Sequence, residues 1–210
     1  QLHRPPRRAP HVQHEPDRLR QPTGRDAAHQ RAERGTAQRV HGARVLAELE
    51  RVLARNPRHI GAMHYYIHAT EASPTPERAI PYADTLAALA PGSGHLVHMP
   101  AHTYIRVGRY HDATLTNFAA TTADKAFLSF CHGSNGVYPL GYVPHNWHFA
   151  SMTAGLTGSR TLALRAAEQT AQRADRDTMG APPLEAMQLF LVAPLFTQVR
   201  FGEWDAILAL

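Results

Sequence analysis

The stretch HLVHMPAHTYIRVGRY, residues 95 to 110, carries His95, His98 and His102. HYYIHATE (64–71) adds His64, His68 and Glu71, and PHNWH (144–148) adds His145 and His148. Imidazole is the commonest metal ligand near neutral pH. A set of histidines with one carboxylate suits Zn, Cu, Fe or Ni rather than Mg or Ca. Spacings of three and four residues place such side chains on one face of a helix. The chemistry to expect is therefore transition-metal binding, provided that the helices bearing these strings lie side by side.

An internal period supplies that arrangement. Pro57 and Pro91 each close a predicted helical segment and stand 34 residues apart, as do Ala79 and Ala113. Gly108 and Gly158 each precede an alanine, Ala113 and Ala163, by the same interval, and Gly202 with Trp204 begins a further match. Thirty-four residues per helix–turn–helix unit is the tetratricopeptide (TPR) period. Tyr104, Gly108, Tyr110, Ala113 and Ala120 fall where that repeat takes aromatic, Gly, aromatic, small and small residues. The expected fold is all-α: a TPR-like superhelix, an α-solenoid of antiparallel helix pairs, with about four repeats over 41–210. The repeats begin near Ile60, Gly94, Pro144 and Gln188, and the last one stops partway through its second helix. Between the repeats that hold Ala113 and Ala163 lie extra residues, read as an inserted loop near 126–143 with Gly and Pro punctuation.

In this register the second, fifth and ninth residues of each first helix line the concave side. Those slots hold Gly61, His64 and His68; His95, His98 and His102; His145, His148 and Met152. Seven of nine are His, which disfavours chance. His64, His98 and His148 share the fifth slot and should form a row across adjacent helices. Three readings stay open: interior histidines satisfied by backbone carbonyls, a polar groove gripping a peptide or small acid, and a site for one or two metals. If the last is an enzyme, the metal would polarise substrate or make hydroxide. Glu71 would then act as general base or as a further ligand. The insertion would cover the groove as a lid, with Tyr138 and Tyr142 placed to touch substrate. The competing function is a non-enzymatic scaffold binding a peptide or protein partner in the groove. Pro100 falls mid-helix and frees the carbonyl of Leu96. Tyr65, Tyr66, Tyr104 and Trp147 read as core residues, Asn146 as a hydrogen-bond partner behind a ligand, and Cys131 with His132 as a weak additional pair.

HYYIHATEAS, HLVHMPAHTYIRVGRY and PHNWHF resemble a group of bacterial TPR-type proteins carrying H-Y-x-I-H-A and H-M-P-S-H signatures. Here Ala101 replaces the Ser of the second signature. The resemblance implies the repeat fold and the association of these motifs, and it brings no reaction or substrate.

Charge narrows the partners. Residues 1–40 hold nine Arg, no Lys and four acids, whereas 41–210 hold 13 basic and 13 acidic residues. The repeat region is thus neutral and lacks the basic stripe that nucleic acid requires. Residues 1–40 contain no aromatic residue and too few aliphatics to offset ordering entropy. They read as a disordered basic tail, or as text from a shifted frame of a GC-rich gene. A single cysteine, Cys131, excludes an internal disulfide, and no apolar run has the length of a membrane span. The chain begins with Gln, so an export signal would lie outside it, and both cytoplasmic and exported locations stay open.

Overall fold

Proline placement marks where six of the helical segments begin. Pro76, Pro81, Pro100, Pro139, Pro144 and Pro194 all stand at the first or second position of a helical segment. There the missing N–H would have had no intrahelical partner. The computed structural model describes residues 42–131, 136–179 and 184–209, and every regular element among them is helical. The expected tail 1–40 and His132 lie outside the described residues.

In chain order the helices are α1 (42–55), α2 (Ile60–Glu71), a 3₁₀ turn (Pro76–Ala79) and α3 (Ile80–Leu89). Then come α4 (Gly94–His98), α5 (Pro100–Arg106), α6 (Tyr110–Cys131), a π-helical turn (Tyr138–Tyr142) and α7 (Val143–Leu156). α8 (Arg160–Gln172), α9 (Arg176–Met179), a 3₁₀ segment (Leu184–Val192), α10 (Ala193–Phe201) and α11 (Trp204–Leu208) complete the chain. Neighbours in sequence pack on one another: α2 on α3 and α5, α6 on α4, α5 and α7, α8 on α7 and α10. Leu53, Met63, Ile67, Leu86 and Met99 form the centre of one apolar cluster.

Three turns carry the glycines that the sequence pattern picks out. Gly108, Gly158 and Gly202 have φ of 81°, 73° and 70°. That left-handed conformation ends a helix without the strain a Cβ would bring. Ala79, Ala113, Ala120 and Ala163, the small positions of the period, are completely buried. Pro100 interrupts the hydrogen-bond ladder between α4 and α5 without bending the backbone away. Met99 keeps helical angles, and the His102 amide bonds back to the Met99 carbonyl. His98 and His102 therefore still share a face.

Three expectations are corrected. The described residues of the insertion near 126–143 are mostly helical rather than loop. Ala126–Cys131 continues α6, because AFLSFC contains no breaker, and Tyr138–Tyr142 forms the π turn leading into α7. The α-helix expected to begin near Gln188 starts at Ala193, because Pro194 cannot occupy a helix interior. Tyr65 is not a core residue: 61% of its surface is exposed, while Tyr66 and Tyr104 are buried. Among the described residues no helix is long and apolar enough to cross a membrane.

Candidate metal centre

α2, α4, α5 and α7 each contribute histidines, which gather into two trios. The first is His98, His102 and His145, whose ligand nitrogens lie within 4.8 Å of one another. Nε2 of His98 is 2.9 Å from Nε2 of His102 and 3.1 Å from Nε2 of His145. His98 is fully buried, His102 is 8% exposed and His145 is half-buried. Phe149 closes this trio from α7, with its ring centroid 4.6–4.7 Å from all three imidazoles.

The opposite ring nitrogens of His98 and His102 are already committed. Asn117 Nδ2 donates to the carbonyl of Ala113 at 2.8 Å, which turns its Oδ1 toward Nδ1 of His98 at 2.6 Å. His98 must therefore carry its hydrogen on Nδ1. Nδ1 of His102 lies 2.5 Å from Oε2 of Glu71, so it donates to that carboxylate. In neutral rings both Nε2 atoms then present lone pairs, and they face each other at hydrogen-bond distance with no hydrogen between them. A cation placed among the three nitrogens resolves that contact.

The second trio is His64, His68 and His95, again within 4.8 Å. Nε2 of His64 is 3.1 Å from Nε2 of His95, and Nδ1 of His68 donates to Oε1 of Glu71 at 2.9 Å. Nδ1 of His95 is buried without a hydrogen-bond partner. Glu71 thus serves one histidine of each trio through separate oxygens. Burial pushes its carboxyl up, but the hydrogen bonds from His102 and His68 outweigh this and hold it down at about 2. So acidic a carboxylate is a weak proton acceptor; its geometry is that of a group orienting two imidazoles.

Burial depresses the histidines themselves. Desolvation, reinforced by neighbouring imidazoles, brings His95 to about 4 and His145 to about 3, and pushes His98 well down. These rings are neutral at pH 7, the form that binds metal.

The expected row of His64, His98 and His148 is not how the side chains meet. His64 pairs with His95, and His98 with His102 and His145. His148 instead packs on Phe190, 5.6 Å between centroids, and borders a separate cavity with Met152 and Phe196. The next helix is displaced by the long α6 and the π turn, so slot numbers alone misplace the α7 histidines. Tyr142 does lie over the groove, 4.4 Å from the His95 ring. Tyr138 turns away, donating to the buried carboxylate of Asp124 at 2.6 Å and accepting from the His95 amide at 3.3 Å. Asn146 also donates to Asp124 rather than to a histidine. Cys131 is exposed and belongs to neither trio. Sequence reasoning passed over Asn117, Phe149 and Asp124, although an Asn and an Asp on the buried face of a helix of small residues mark polar contacts made inside.

Compared with known proteins, the chain matches no family model, no curated protein and no solved structure.

Proposed function

We propose that this chain is a TPR-like helical repeat protein whose His-lined groove binds a transition metal, Zn, Cu, Fe or Ni. The observation that carries the reading is the convergence of three Nε2 atoms, two of them on rings, His98 and His102, that Asn117 and Glu71 orient from behind. Zinc held tetrahedrally by nitrogens at 2.0–2.1 Å has neighbouring ligand atoms about 3.3 Å apart. The trio's 2.9 and 3.1 Å separations come close to that edge before any ion draws the rings into place. A histidine that donates its other nitrogen to a carboxylate is the usual arrangement behind a metal. The repeat reading is supported by the three left-handed turn glycines and by the buried Ala113 and Ala163, which follow Gly108 and Gly158 at the same interval. An ion with one position facing the groove would polarise a bound substrate or hold hydroxide.

The test is elemental analysis of protein purified without a His tag, with His98→Ala/His102→Ala/His145→Ala as control. Stoichiometric metal that disappears in the triple variant is the expected result. Protein that holds no metal, and takes up none of Zn, Cu, Fe or Ni, would overturn it and leave a peptide-binding scaffold as the function to pursue.

A further inference from the structure

Six imidazoles exceed the three or four ligands that one such ion takes, and the groups within ligand distance are the two all-histidine trios and a third, His68, Glu71 and His102, that joins them. Each trio is internally within ligand distance, and one carboxylate stands between them with an oxygen for each. Glu71 fixes the tautomer of His68 as it fixes that of His102, so both rings present Nε2 to their own trio. An unpartnered buried imidazole nitrogen such as Nδ1 of His95 is uncommon in folded proteins. It lies on the far side of the ring from the Nε2 that meets His64, so unlike His68 and His102 this ring has no partner behind it.

The two trios differ in access. His98 and His102 are buried beneath Phe149, whereas His64, His68 and His95 line an open cavity of about 490 Å³, which His145 of the first trio also borders. That volume lies in the range of small-molecule pockets. Tyr65, Tyr142, Met187 and Phe190 form its other walls, and no Lys, Arg, Asp or Glu lines it among the described residues. Without a cationic clamp such a wall has little to offer a phosphate or a polycarboxylate. Bound dications would repel a cationic ligand. What the walls do offer is aromatic and thioether surface around a ring-sized body.

Resting on the metal reading above, we infer that the groove holds two ions: a deeper one on His98, His102 and His145, and a more open one on His64, His68 and His95. The open ion takes an uncharged small molecule that supplies one nitrogen or oxygen donor and seats an apolar ring against Tyr142 and Phe190. Glu71 couples the two sites as a positioning residue.

The experiment titrates tag-free, metal-free protein with Co(II), read by visible absorption, and then adds imidazole or 4-phenylimidazole to the loaded protein. Two equivalents are expected, one of them lost in His68→Ala/His95→Ala and in the milder His64→Ala, both checked for helicity by circular dichroism. 4-Phenylimidazole should perturb the spectrum with a Kd at least about tenfold below that of imidazole, and Tyr142→Ala/Phe190→Ala should erase the difference. Uptake of no metal would sink the metal reading itself. One equivalent that survives His64→Ala, or loss of all metal in that variant, would leave that reading standing and overturn the two-ion centre. Two equivalents with no preference for the phenyl compound would overturn the ligand assignment.

Discussion

Asn117 accepts a hydrogen bond from Nδ1 of His98 across 2.6 Å, and that bond decides which nitrogen of a fully buried imidazole faces the other two rings. The amide has no freedom to reverse its role, because its nitrogen is held by the Ala113 carbonyl. Removing the acceptor in Asn117→Leu leaves a buried donor unpaired, at about 1–3 kcal/mol, unless the ring shifts its hydrogen to Nε2. The shift would relieve the donor and abolish a ligand. Metal affinity should fall about 10–100-fold. A chelator competition titration, with ¹⁵N spectra of the His98 ring to follow the tautomer, checks it.

Glu71→Gln keeps the shape of the side chain and removes its symmetry. The carboxylate accepts from His68 with one oxygen and from His102 with the other. A glutamine can accept from only one of them and turns a donor toward the second, forcing that ring to carry its hydrogen on Nε2. One trio should lose affinity about 10–100-fold while the other holds. Two-phase metal release against a graded chelator series would show the split; a uniform loss at both sites would contradict the bridging role.

The helices and their turns were legible because their signals are local. Gly108, Gly158 and Gly202 each announce a left-handed turn, and Ile60 and Gly94 begin helices where the period places them. The set of histidines was legible for the same reason, since spacing of three and four fixes a helical face. Their pairing was not. Whether His98 meets His145 or His148 depends on how far α7 slides along α4, and that is set by the length of α6 and by the π turn, which the Gly and Pro residues of 126–143 disguised as loop. Asn117 and Asp124 carry no motif at all. Their importance arises only when α6 packs against α4 and α7.

Metal-free protein should lose stability in acid in a defined window. His95 and His145 are held below the ordinary imidazole value of 6.5, chiefly by burial, at about 4 and about 3. Below pH 6.5 the unfolded chain takes up protons on these rings that the folded chain refuses, so stability falls with pH from there until the folded-state values are reached. Above pH 6.5 these two groups should contribute no slope. Thermal melts of apo protein from pH 8 to 4 test the sign. His145→Phe, which fills similar space without titrating, should flatten the acid limb.

Gly94 begins α4 against a carboxylate that has nowhere to go. A Cβ at this position would lie 1.8 Å from Oδ1 of Asp124 and 2.9 Å from the Ala120 carbonyl oxygen. Asp124 is buried and tied to Tyr138 and Asn146, so it cannot swing aside without breaking both bonds. Gly94→Ala should therefore destabilise by the upper part of the about 1–3 kcal/mol typical of overpacking, measured by urea denaturation. Asp124→Ala alone should also destabilise, by orphaning the Tyr138 hydroxyl and the Asn146 amide. Combined with Gly94→Ala, however, it removes the clash, so the double variant should be more stable than the two single losses added together predict. The relief should be incomplete, because the Ala120 carbonyl still crowds the new methyl group. Simple additivity would show that the α4 start yields to the added carbon and that Asp124 does not fix it.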